Sequence, residues 1–115
     1  MTDPNCLFCK IVAGSVPATV VAATDDTVAF RDINPQAPVH VLVVPRAHHE
    51  NLGALAAADP ALVGRLAADA AAVADAEGIG DAFRLVFNTG AAVGQSVFHV
   101  HGHVLGGRRF GWPPG

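Results

Sequence analysis

The segment VFHVHGHVL, residues 97–105, constrains the chain more than any other stretch. Its side chains alternate between two sets, and a period of two argues for an extended strand. One face carries Val97, His99, His101, His103 and Leu105; the other carries Phe98, Val100, Gly102 and Val104. The second set suits a packed face. Half of the six histidines are then aligned along the first.

Such a strand needs neighbours. VHVLVVP (39–45) is apolar on both faces and reads as a central, buried strand. TVVAAT (19–24) and TVAFRD (27–32) read as a hairpin around Asp25 and Asp26, and FRLVFN (83–88) as a further strand. INPQAP (33–38) and TGAAVGQ (89–95) are loops. CLFCKIVAG (6–14) is a short helical turn closed by Gly14, beyond which Pro17 forbids continuation. A long helix opens at Asp59-Pro60, an N-cap followed by a proline at the first helical position. Its buried stripe is Leu62, Leu66, Ala70 and Val73, and Gly78 and Gly80 end it. Strands joined by short loops, with one good crossover helix, predict an α+β fold with a mainly antiparallel sheet.

A chain of 115 residues with 51% hydrophobic and 15% charged residues fits one domain, 1–115, with a real core. A net charge of −3 gives no support to general nucleic-acid binding. No apolar run reaches a membrane span of about 18 residues, and MTDPNCLFCK lacks a signal-peptide pattern, so a cytoplasmic location is expected. Two cysteines are too few for a disulfide scaffold.

Three aligned imidazoles do not suit one metal ion. At about 3.3 Å per residue, His99 and His103 begin roughly 13 Å apart on a flat strand, whereas zinc binds nitrogen at about 2.0–2.1 Å. At least one histidine is left for other work. Imidazoles near pKa 6.5 suit an anion with a proton to move, and phosphate is the obvious candidate. Like-charge repulsion permits a neutral nucleophile beside a cationic donor. The preceding NTGAAVGQS (88–96) offers backbone N–H groups for an anion, with Gln95 and Ser96 as further donors. On residue grounds alone His40 reads as a satisfied core histidine. CLFC reads as a redox pair, two buried small hydrophobes, or half of a metal site.

Taken together, these segments resemble the histidine-triad (HIT) superfamily, and within it the Hint branch. The motif alternates three histidines with hydrophobic residues and stands here as HVHGHVL; LFCKIVAGSVPA, FRDINPQAPVHVLVVPRAH, NTGAAVGQSVFHVHGHVLGG and the C-terminal WPPG extend the likeness over nearly the whole chain. Gly102 departs from the motif, where a hydrophobic residue is expected, and implies a looser strand. The resemblance implies a two-layer fold with a five-stranded antiparallel sheet, one long and one short helix, and a homodimer joined sheet edge to sheet edge. It implies a purine nucleoside phosphoramidase: attack of His101 on the α-phosphorus, a nucleotidyl-histidine intermediate, and release of an amine and a nucleoside monophosphate.

By the same resemblance His103 contacts the phosphate and supplies a proton, with Ser96 near the leaving group. His40 hydrogen-bonds and orients His101. Asn88, Gln95, Ser96 and Val97 hold phosphate oxygens, Asp32 accepts the ribose hydroxyls, and Phe8, Ile11, Phe30 and Ile33 enclose the base. It also implies zinc, as a structural site of Cys6, Cys9, His48 and His99, with His49 a competitor for His48. The tail GGRRFGWPPG is expected to be pinned down and to reach the partner subunit's site, with Arg108 and Arg109 adding positive potential. A dinucleoside polyphosphate hydrolase, a nucleotidyl transferase and a non-catalytic nucleotide- or zinc-binding module are the alternatives. His103 speaks against the transferase, whose motif commonly ends in glutamine.

Overall fold

Along the chain, a computed structural model describing residues 2–115 runs α1 (Leu7–Val12), β1 (Val20–Ala23), β2 (Thr27–Arg31), β3 (Val39–Pro45), α2 (Leu52–Ala58), α3 (Pro60–Ala76), β4 (Phe83–Phe87) and β5 (Gly102–Gly106). All pairings are antiparallel, and the sheet order is β1-β2-β3-β5-β4. The apolar run 39–45 is thus the central strand, as its two-faced hydrophobicity requires.

Alternation along β3 divides the core. Val41 and Val43 face α3 and pack with Ala29, Ala70, Val73, Ala74 and Val104. On the other face Leu42 and Val44 pack with Val28, Phe30 and the α1 residues Phe8 and Cys9. Asp59 caps α3, its side chain accepting from the Leu62 N–H at 3.2 Å, with Pro60 at the first position. Thr27 donates to Asp69 at 2.6 Å and ties β2 to that helix. No helix among the described residues is long and apolar enough to cross a membrane.

Three features differ from the sequence expectation. Helix α2 precedes the Asp59-Pro60 start, capped by Asn51, whose side chain accepts from the Ala54 N–H at 2.9 Å. The last strand begins at Gly102, not Val97. Extending its register with β3 would set Val100 opposite Pro45, which has no N–H to give, so the ladder stops. Gly102 leaves no gap: an added Cβ would lie 2.8 Å from the Phe87 ring and 2.9 Å from Leu85. Those side chains fill the place of the missing one, so the looser strand expected there is not observed.

Candidate active site

The two expected faces of 97–105 survive only from Gly102 onward. Upstream the two faces no longer sort by burial: His99 and Val100 are buried and His101 nearly so, while Phe98 is exposed. Residues 97–99 form a bend outside the sheet, and just beyond it the Val100 N–H donates to the His49 carbonyl at 2.7 Å.

The histidines part company at their ring nitrogens. His99 Nε2 donates to the Pro45 carbonyl at 2.8 Å, which frees Nδ1 as a lone pair. His101 is the reverse: Nδ1 donates to the His99 carbonyl at 2.8 Å, leaving Nε2 as the lone pair. His103 Nδ1 lies 2.9 Å from His40 Nε2, and the Gln36 N–H donates to His40 Nδ1 at 3.0 Å. A neutral His40 must therefore carry its proton on Nε2 and donate it to His103 Nδ1. His103 then carries its own proton on Nε2, the one buried side-chain polar atom without a partner among the described residues. His40 orients His103 rather than His101, so the contact expected for it is displaced by one histidine.

Burial lowers all of these imidazoles. His103 is held at about 4, by desolvation first and then by His101 and His40, and His101 and His40 are lowered for the same leading reason. Desolvation therefore favours the neutral form of these imidazoles near pH 7, against the cationic donor expected from the sequence. A neutral His103 can donate a hydrogen bond but cannot give up a proton without becoming an imidazolate.

His101 and His103 line a cavity of about 310 Å³ with Phe8, Ile11, Phe30, Asp32, Ile33, Leu42, Ser96 and Val97. Phe8 and Phe30 form a buried floor, edge to face at 5.4 Å, and Ile33 is almost fully exposed at the mouth. Asp32 Oδ1 accepts from the Asn34 N–H, and its Oδ2 lies 3.4 Å from His40 Nε2. Asn88 and Gln95 lie outside this lining. Both ends of the Gln95 amide brace the loop: Oε1 accepts from the Gly90 N–H and Nε2 donates to the Glu50 and Val97 carbonyls. Gly90 and Gly94 take positive φ, and the N–H groups of Val93, Gly94 and Gln95 bond inside the loop. The stretch beside the cavity is thus Ser96–Val97 alone.

Cys6, Cys9, His48 and His99 converge, each offering one ligand atom within 4.8 Å of the others. His48 Nδ1 and His99 Nδ1 are 3.2 Å apart; Cys6 Sγ to His99 Nδ1 and Cys9 Sγ to His48 Nδ1 are both 3.4 Å. A tetrahedral zinc ion with nitrogen at about 2.0–2.1 Å and sulfur at about 2.3 Å sets edges of roughly 3.3–3.6 Å between such pairs. The donor set fits. His99 is held neutral, at about 4, by burial, and its far nitrogen is fixed by a carbonyl, as metal-bound histidines require. His49 takes no part in the cluster. A second convergence, Asp32, His40 and His103, does not fit a cation: a metal on His40 Nε2 would drive the ring proton onto Nδ1, against the Gln36 N–H.

The tail is held down at its start. Arg108 stacks on Phe110 at 4.2 Å and donates to the Gln36 carbonyl, while Arg84 donates to the Gly111 carbonyl and lies 5.1 Å over the same ring. Trp112, at 84% exposed, projects beyond.

A family model described as the HIT domain matches residues 13–110. The chain belongs to the HIT domain family. Its HIT fold is similar to that of a HIT family hydrolase from Legionella pneumophila Philadelphia 1, at a TM-score of 0.92 and 46% identity over 96% of this chain and 100% of that one. Among curated HIT relatives, a protein of Arabidopsis thaliana named adenylylsulfatase HINT1 is 43% identical over 99% of this chain and 79% of its own length. A 14 kDa zinc-binding protein of Zea mays is 43% identical over 100% of this chain and 91% of its own.

Proposed function

We propose that the protein is a nucleotide hydrolase that cleaves purine nucleoside 5′-phosphoramidates, using His101 as nucleophile. The observation that carries this reading is the His101 tautomer: Nδ1–H is tied to the His99 carbonyl, so Nε2 has its lone pair without help from a base. Nε2 attacks the α-phosphorus, the P–N bond breaks, and the nucleotide is held on His101. His103 Nε2–H has no partner of its own and donates to a phosphate oxygen where negative charge grows. The departing nitrogen needs a proton. The exposed Ser96 hydroxyl, on the same cavity, relays one from solvent. Water then attacks phosphorus and loses its proton to solvent through Ser96, and His101 Nε2 leaves as the neutral imidazole. Asp32 accepts the ribose hydroxyls, and Phe8, Ile11, Phe30 and Ile33 enclose the base.

Zinc in the Cys6–Cys9–His48–His99 cluster supplies structural cross-linking and no chemistry at phosphorus. The Zea mays relative's name, a zinc-binding protein, supports zinc as the metal, and the converging donor set supports these four residues as its ligands. A homodimer through β4 fits the half-buried apolar Phe83, Leu85 and Phe87 on an open sheet edge and the projecting Trp112; sedimentation should return twice the monomer mass.

The Arabidopsis relative's name favours a second reading, adenylyl sulfate as substrate, with the same attack and sulfate as leaving group. Turnover of adenosine 5′-phosphoramidate bearing an aromatic amine, measured against adenylyl sulfate, separates the two. A higher kcat/KM for the phosphoramidate supports the first reading. Preference for adenylyl sulfate moves the assignment to the second, and turnover of neither contradicts both.

A further inference from the structure

Helix α1 has six residues, too few to hold its shape unaided. Its N-cap is Cys6, whose Sγ accepts from the Cys9 N–H at 3.4 Å, so the turn is built around the two cysteines. Phe8 lies between them in sequence. Its ring is edge to face with His101 at 4.9 Å and with Phe30 at 5.4 Å, and 6.1 Å from His99. Leu7, Phe8 and Ile11 together make one wall of the nucleotide cavity.

The same cluster holds the opposite element. His99 gives Nδ1 to the cluster, and its carbonyl accepts the Nδ1–H of His101. This stretch has no ladder to pin it, because β5 begins only at Gly102. Where sheet pairing ends, the Cys6–Cys9–His48–His99 cluster takes over as the fixed point. Four side chains thus set the base wall on one side and the nucleophile's tautomer on the other.

We propose that this cluster is a coupling element: metal bound there fixes Phe8 and the His99 carbonyl, so metal and nucleotide each raise the protein's affinity for the other. The inference rests on the nucleotide-binding reading above. Linkage demands reciprocity, so the factor by which zinc tightens the nucleotide must equal the factor by which the nucleotide tightens zinc. A factor of at least about fivefold is expected for two sites sharing such contacts.

The test uses the full chain, with AMP and zinc as probes. AMP affinity is measured by calorimetry with and without zinc, and zinc affinity by competition with a chromophoric chelator, with and without saturating AMP. Equal tightening in both directions, at fivefold or more, supports the inference. Circular dichroism of the metal-free protein at the titration temperature separates local coupling from simple unfolding: a folded metal-free protein that binds AMP at least fivefold more weakly supports the inference, whereas a metal-free protein that is unfolded there attributes the coupling to global folding and overturns it. AMP binding that ignores zinc overturns the coupling and leaves the hydrolase reading standing. AMP binding to neither form overturns both, and failure to bind zinc overturns the inference alone.

Discussion

The Cys6–Cys9–His48–His99 cluster and the His40–His101–His103 cluster share one short segment, which gives His99 to the first and His101 and His103 to the second, yet they suit different chemistry. What separates them is the bond made by each imidazole's other nitrogen. A carbonyl on His99 Nε2 turns Nδ1 toward the two sulfurs, and a carbonyl on His101 Nδ1 turns Nε2 toward the cavity. The backbone around a histidine, not the histidine, selects ligand, nucleophile or donor. Burial reinforces the split, since desolvation keeps His99, His101 and His103 neutral and so keeps the lone pairs available.

The contrast breaks most sharply in paired variants. His101→Ala is expected to lower kcat by at least about 1,000-fold, with AMP affinity and melting temperature close to wild type. Its counterpart Cys9→Ala should do the opposite: the protein melts at least about 10 °C lower in zinc-containing buffer, because a structural metal site contributes directly to folding. A stable Cys9→Ala protein would remove the structural role from that cluster. His40→Phe tests the donor chain. It deletes the proton given to His103 Nδ1 and should cost about tenfold in kcat, with little change in zinc content; an unchanged kcat would detach His40 from the site.

The smallest effect is on pH dependence. Folded His103 is held at about 4, against about 6.5 when unfolded. Between those values the unfolded chain binds the extra proton, so stability falls as pH drops from about 6.5 toward 4 and is insensitive to this group above 6.5. Denaturant midpoints across this window should fall less steeply in His103→Asn than in wild type. Parallel slopes would mean that His103 is not buried as described.

Much of this was legible in the sequence where pattern and backbone agree. The run 39–45 matches β3 in full, and Asp59-Pro60 marks the start of α3. Helix α2 was hidden because that strong start signal drew the boundary, although Asn51 stood three residues before the Ala54 N–H it caps. At 97–101 the alternating pattern and the backbone part company for a deeper reason. Alternation records which side chains share a face and says nothing about whether a partner strand has N–H groups to offer, and Pro45 has none. Cys6, Cys9, His48 and His99 are far apart in the chain, and only the fold shows that His48, rather than His49, completes the set. The tautomers were beyond the sequence altogether, because they depend on carbonyls whose positions follow from the tertiary fold.

The central claim, that the far nitrogen's partner sets each histidine's role, is tested most directly by nitrogen-15 NMR of the imidazoles in the zinc-loaded protein near pH 7. The account predicts His101 as the Nδ1–H tautomer, His103 and His40 as Nε2–H, and His99 with its proton on Nε2. His101 found as Nε2–H would leave it no lone pair toward the cavity, and would contradict both its role as nucleophile and the rule that assigns the others.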